Sequence, residues 1–362
     1  MKKVILSLCM VLALGACKEQ KKTQVQQKPI VKIGASLPLS GDMSETGQNL
    51  RNAMSLALKD ETKTNNLKYD YKLYFEDDMY DVKKALSNWN LFNSVNHIDA
   101  IFTLWGTMGR VASDFAAQHK IIHMSCGLSS DVAKGFYNFN NATKPVTHAE
   151  KIATFYKNKG IKHLALFYYN CAEFDDFLPL FREKLKNNGI EIISETAVNN
   201  TDMDLMVAMQ KVKNLKPDML HVQLLPPQAG IFAKTLKKLN WDIEIGNLND
   251  LLLSADYFDG AYIFQDDTGT SDFAEHFTSE TGLRVIGCTA NFYDNVRLII
   301  DAYEHIGDGK TLPSREEVVS YILKNKNFNA SFEGFTIDEN GHIDSASTVK
   351  QLKEGTLVEI EE

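Results

Sequence analysis

The sequence predicts an α/β protein made of two doubly wound parallel-sheet lobes. Three observations carry that expectation. The chain has 362 residues, more than one ordinary core holds and fewer than a multi-domain assembly needs. Short apolar runs rich in β-branched residues alternate with segments whose apolar residues recur at helical spacing, as parallel βαβ units require. That alternation runs through the first half, restarts after Thr147 and runs again. With 44% hydrophobic and 24% charged residues, the composition is that of a folded globule and not of a disordered chain.

In the first half, Val31 to Leu37 reads as a strand bounded by Pro38 and Gly41. Leu50, Ala53, Met54, Ala57 and Leu58 then form one helical face. Tyr71 to Phe75 is the next strand, followed by a helical stripe through Val82, Ala85, Leu86, Trp89 and Phe92. Ala100 to Leu104 and Ile121 to Met124 are strands, with a helix around Val111 to Gln118 between them. In the second half, helix His148 to Lys159 leads to strand His163 to Tyr169 and helix Asp175 to Asn188. Strand Ile190 to Thr196, helix Asp202 to Asn214, strand Met219 to Leu225 and helix Gln228 to Leu239 follow. Short strands at Ile243 to Gly246 and Ala261 to Phe264 close the set. Helices at Ser271 to Thr281, Thr289 to His305 and Ser314 to Lys324 come next, then a hairpin whose turn carries Asn340-Gly341.

The N-terminus reads as an address. Lys2 and Lys3 precede an apolar run from Val4 to Leu14. At about 1.5 Å per residue this run is far too short for a hydrocarbon core of about 30 Å, so it is expected to be a signal h-region. It ends in Leu14-Gly15-Ala16-Cys17, which resembles a bacterial lipobox. The resemblance implies cleavage after residue 16, diacylglycerol on the Cys17 thiol and stable anchoring by two or three acyl chains. Residues 17–29 then form a lipidated cysteine and a polar tether. Losing Lys2 and Lys3 from the 39 basic residues leaves 37 against 47 acidic ones, a net charge of −10. An acidic body disfavours nucleic acid as a partner. Cys126, Cys171 and Cys288 remain, an odd number in an oxidising compartment. They are expected to be buried structural thiols, not redox groups.

No phosphate-binding loop, dinucleotide fingerprint, nucleophile elbow or HExxH pair occurs in the sequence. His119 and His123 stand four apart, but His123 falls in a strand, so they share no helical face. Glu76-Asp77-Asp78 reads as a solvated turn. No catalytic residue, cofactor or metal site is expected. In open α/β sheets, ligands bind beyond the carboxyl ends of the strands. Those ends are Pro38 to Gly47, Trp105 to Gly109 and Cys126 to Ser130 in the first lobe. In the second they are Asn170 to Asp176, Pro226 to Gln228 and Asn247 to Asp250. Gly106-Thr107 and Gly127-Leu128-Ser129 offer free N–H groups and hydroxyls beside a helix start, a setting for a ligand carboxylate. Thr107 and Ser129 as plain helix caps remain the alternative.

The run Val31-Lys32-Ile33-Gly34-Ala35-Ser36-Leu37-Pro38-Leu39-Ser40-Gly41 resembles the first strand and loop of the leucine/isoleucine/valine-binding family. Further matches are Phe75-Glu76-Asp77-Asp78, Ala100-Ile101-Phe102 leading to Gly106-Thr107, Pro217-Asp218, Ala290 to Leu298 and Gly334 to Gly341. The members are type I periplasmic binding proteins serving ABC importers. The resemblance implies lobes of residues 30–140 with 267–333 and of residues 141–266 with 334–362. It places a three-crossing hinge near Phe139 to Lys144, Phe264 to Asp267 and Glu333 to Thr336. It implies ligand contacts at Ser40, Trp105, Gly106, Thr107, Gly127, Leu128, Ser129, Glu173, Phe174, Leu225, Leu248, Asn249 and Asp250.

Several positions depart from the family. Its first cradle serine is Gly106, a second-lobe aromatic falls on Glu173 or Phe174, another on Leu225, and the acid that meets a ligand ammonium falls near Leu248. A disulfide of some members corresponds to Tyr80 and Trp105, which suggests an aromatic contact in its place. The ligand class therefore stays open among amino acid, amide and small organic acid. The expected protein is a monomeric, lipid-anchored, extracytoplasmic solute-binding protein, with ABC permease subunits and the membrane through Cys17 as partners. One rival is a two-lobe lipoprotein that regulates an envelope enzyme. The other is an enzyme using Glu173, Asp175 or Asp250 as acid or base.

Overall fold

A computed structural model describes residues 27–248, 258–325, 328–332, 335–354 and 356–360. Two seven-stranded sheets form the centres of two lobes. The first begins with β1 (Ile30–Leu37), whose residues from Ile33 on are buried. Burial on both faces suits a parallel strand covered by helices. β2 (Asp70–Asp77) and β3 (Ala100–Leu104) flank β1 in parallel, and β4 (Ile122–Cys126) and β5 (Asn138–Asn141) continue the sheet.

Among the described residues, six helices cover this sheet: α1 (Ser44–Thr64), α2 (Val82–Leu91), α3 (Trp105–His119), α8 (Ser271–Thr281), α9 (Thr289–Ile306) and α10 (Arg315–Lys324). The apolar stripe of α1, Leu50, Ala53, Met54 and Ala57, is fully buried. α9 is buried on nearly every side because it packs between α1 and α10.

The second sheet is built from β6 (His163–Tyr169), β7 (Glu191–Val198), β8 (Met219–Gln223), β9 (Ile245–Leu248) and β10 (Tyr262–Asp266), all parallel. α4 (Pro145–Asn158), α5 (Phe177–Asn187), α6 (Met206–Leu215) and α7 (Gln228–Lys238) cover it. The strand orders are β11-β12-β5-β4-β3-β1-β2 and β14-β13-β10-β9-β8-β6-β7. Two doubly wound lobes are thus present, each with an antiparallel pair at one edge. No helix among the described residues is long and apolar enough to cross a membrane.

The chain crosses between lobes three times. The first two crossings, residues 142–144 and 267–270, lie beside the expected ones. The third does not lie at 333–336. β11 (Thr336–Ile337) and β12 (His342–Asp344) extend the first sheet by pairing β12 with β5, and β13 (Ser347–Lys353) with β14 (Thr356–Glu359) extends the second. Residues 345–346 are the crossing, so 336–344 belong to the first lobe and not to a second-lobe segment starting at 334. Thr143 joins the crossings: its N–H donates to Asp266 Oδ1 at 2.7 Å and its hydroxyl to the Ser345 carbonyl at 3.2 Å. The Asp267 N–H donates to the Ala346 carbonyl at 3.0 Å.

Candidate functional site

The paired ends of β3 and β4, Leu104 beside Cys126, place two turns side by side. One opens α3 at Trp105, whose φ of +61° lies in the left-handed region that an L side chain enters at a cost. The other is Gly127-Leu128-Ser129. The backbones touch here: a Cβ on Gly127 would stand 2.5 Å from the Gly106 nitrogen. Asn140 fixes the second turn, accepting from the Gly127 N–H at 2.9 Å and donating to the Gly127 carbonyl at 2.8 Å. This contact makes the Gly106, Thr107 and Leu128 N–H groups converge.

What they converge on is Glu173. It lies in a 3-10 turn, Ala172–Phe174, that follows β6 of the other lobe. Its Oε2 accepts from the Gly106 N–H, and from the Thr107 N–H at 3.2 Å; its Oε1 accepts from Leu128 at 2.8 Å. The side chain is 5% exposed. Burial pushes its carboxyl up to about 7, outweighing the three N–H donors and the Arg110 charge that favour ionisation. Asp176 extends the contact, accepting from the Ser129 hydroxyl at 2.8 Å and the Ser130 N–H at 3.0 Å. Arg110 donates to the Ser129 hydroxyl at 2.7 Å and lies 3.5 Å from Asp175 and 3.4 Å from Asp176.

Beside the Glu173 carboxylate lies an interlobe cavity of about 60 Å³. Trp105, Gly127, Leu128, Glu173, Phe174, Leu225 and Leu248 of the expected residues line it. Leu225 and Leu248 make a wall that offers no charge to a ligand ammonium. Gly106, Thr107 and Ser129 stand behind Glu173 and do not reach the cavity. Ser40 is not brought to the site. Its hydroxyl donates to Asp77 Oδ2 at 2.5 Å, because Asp77 at the end of β2 also accepts from the Leu39 and Ser40 N–H groups and holds this part of the loop. Asn249 and Asp250 lie outside the described residues.

Sequence reasoning missed the hinge side of the cavity. Thr143, His148, Gln223, Gln265 and Asp266 line it. Asp266 meets His148 Nε2 at 3.2 Å, and His148 Nδ1 meets the Ser347 hydroxyl at 2.8 Å. Burial opposes ionisation of Asp266, but the His148 and Thr143 contacts outweigh it and hold the carboxyl below the usual range. Gln265 is buried with neither amide atom hydrogen-bonded. The carboxyl end of β10 was the available signal, since it obeys the same strand-end rule as the other loops.

Two of the three cysteines expected as buried thiols are instead joined. Cys126 and Cys288 form a disulfide at the cavity wall, with Cα atoms 6.0 Å apart. They stand 162 positions apart, with the second lobe's parallel strands β6 to β10 between them, which hides their adjacency from the sequence. Cys171 is a free, half-buried thiol pushed up to about 12, first by burial and then by the Glu173 charge. Tyr80 and Trp105 do make an aromatic contact, edge to face with centroids 5.2 Å apart.

A family model described as periplasmic binding protein matches residues 30–356. No curated protein matches the chain at the sequence level. Among solved structures, a leucine-binding protein LivK from Thermotoga maritima superposes with a TM-score of 0.79 at 19% identity, covering 90% of this chain and 97% of that one. The branched-chain amino acid substrate-binding protein LivJ from Streptococcus pneumoniae, solved with isoleucine, gives 0.82 at 16% identity and covers 91% and 97%. A solute-binding protein from Rhodopseudomonas palustris, solved with 3,4-dihydroxybenzoic acid, gives 0.80 at 20% identity and covers 92% and 96%.

Proposed function

Because this chain belongs to the periplasmic binding protein family, of type I by its fold, we propose that it is the solute-binding component of an ABC importer. It captures a small ligand between its lobes and presents the closed form to permease subunits in the membrane. The ligand is an amino acid, an amide or a small organic acid. The observation that carries this reading is the cleft: strand ends of both lobes face one cavity, and three bonded crossings lie along its edge. Such a hinge lets one lobe rotate on the other, and a ligand shifts that equilibrium by its preference for the closed state.

Residues 1–16 act as a signal, and Cys17 with residues 18–29 as a lipid anchor and tether. The body works as a monomer outside the cytoplasm and without catalysis. Calorimetry of the purified body against amino acids, amides and organic acids tests capture; no binding across all three classes would refute it. Labelling with a fatty-acid analogue tests the anchor, since Cys17→Ser should abolish incorporation.

One observation favours a second reading, a two-lobe lipoprotein that regulates an envelope enzyme. The cleft is closed on Glu173 and holds only a small cavity. Retrieval of one stoichiometric partner enzyme, unaffected by solutes, would favour it over transport.

A further inference from the structure

Glu173 does in this cleft what a bound carboxylate would do. It belongs to the second lobe, yet the N–H groups of Gly106, Thr107 and Leu128 that its carboxylate accepts from all belong to the first. The cradle is shaped around it. Gly106 lacks a side chain, and a Cβ there would stand 2.7 Å from Glu173 Oε2 and 2.8 Å from Ser129 Cβ. The neighbouring cavity of about 60 Å³ has room for roughly four to six non-hydrogen atoms. Asp266 supplies it with a second carboxylate, and Gln265 with a buried amide that has no partner.

We propose that Glu173 is a tethered surrogate for a ligand carboxylate, so that the cleft closes on the chain's own side chain, rejects solutes with a free carboxylate and takes a small uncharged solute of the carboxamide class. The statement about solutes rests on the solute-binding function proposed above; the surrogate role of Glu173 does not. A dissolved carboxylate finds the three N–H donors taken and meets the carboxylates of Glu173 and Asp266. Burying an unpaired anion in such a place costs several kcal/mol. A carboxamide reverses these relations. Its N–H groups donate to carboxylate oxygens, and its amide pairs reciprocally with Gln265, satisfying both idle atoms.

The test is thermal melting of the wild type and of Glu173→Ala, titrated with acetate and with acetamide against sodium chloride of equal ionic strength. Circular dichroism confirms folding. The variant should melt lower than the wild type, and acetate should raise its melting temperature saturably, at a concentration about tenfold below any effect on the wild type. Acetamide should stabilise the wild type. If the alanine variant does not fold, Glu173→Ser, which also withdraws the carboxylate from the cradle, is read in the same way. A folded variant indifferent to acetate overturns the surrogate role. So does a wild type stabilised by acetate, benzoate or leucine as strongly as the variant. A wild type indifferent to acetamide and every other neutral solute, beside a variant that still answers to acetate, overturns the carboxamide ligand class and leaves the surrogate role of Glu173 standing; the solute-binding reading falls only to the calorimetry above.

Discussion

Breaking the Cys126–Cys288 bridge should cost this protein a large part of its stability. Both cysteines belong to the first lobe, one ending β4 and one preceding α9, and 162 residues separate them. In the chain-entropy description, a closed loop of that length removes about 17 cal/mol/K from the unfolded chain, or about 5 kcal/mol at 25 °C. The figure assumes that both lobes unfold together. If the second lobe stays folded while the first opens, the flexible loop shrinks to residues 127–144 and 267–287, and the same relation gives about 4 kcal/mol. Urea denaturation of the oxidised protein, the reduced protein and the Cys126→Ala/Cys288→Ala variant measures the loss, reduction isolating the covalent bond from side-chain packing. A loss below about 1 kcal/mol on reduction would refute the reasoning. So would thiol titration of the unreduced, denatured body that found Cys126 and Cys288 reactive alongside Cys171.

Glu173 predicts a pH dependence with a definite sign. Its carboxyl is raised from 4.5 to about 7 when folded, so its contribution is complete below pH 4.5 and is lost as pH rises through about 7. The swing is on the order of 3 kcal/mol, and Glu173→Gln should remove it from the stability–pH profile. Tyr80, Cys171, Asp175 and Arg110 surround the carboxyl and act on it or with it. The buried His123 and His221, lowered to about 4 and about 3, act oppositely, losing stability as pH falls below 6.5, and cancel in the difference between wild type and variant. Gly106→Ala should destabilise by about 1–3 kcal/mol through its clashes with Glu173 and Ser129, and less in a Glu173→Ala background, where only the Ser129 clash remains. Additive effects in that double-mutant cycle would disprove the contact. Asn140→Ala leaves the Gly127 N–H and the Gly127 carbonyl unpaired and removes one of the two bonds to the Ser129 carbonyl, and chemical denaturation should show a loss of about 2–4 kcal/mol.

Most helices and the parallel strands were legible because each buries a stripe with its own period. The α1 face and the β1 run are examples: Leu50, Ala53, Met54 and Ala57 are buried as spaced, though Leu58 is only half-buried and Leu56 joins the core, and β1 is buried from Ile33 on. β5 was not legible. Its sequence, Asn138-Phe139-Asn140-Asn141, defies strand propensity, yet it is wholly buried because the asparagines bond to His123, Gly127 and Asn295. β13 buries only Val349 and Leu352, three residues apart, so it lacks the alternation that marks a strand. The positions of the carboxylate cradle followed from strand ends alone. Its occupant did not, because Glu173 lies 67 residues from Gly106 in sequence, and nothing local distinguishes a carboxylate turned into the other lobe from one turned to solvent.

The Glu173 carboxylate reaches its cradle on a turn of folded chain, so its contest with a dissolved acid is one of effective concentration. A short tether holds a group at an effective concentration on the order of millimolar. An acid present in the surroundings at about micromolar levels would then have to bind the cradle roughly a thousandfold more tightly than the tethered group, about 4 kcal/mol, to take half of the sites. Removing the side chain abolishes that handicap without altering a single donor of the cradle.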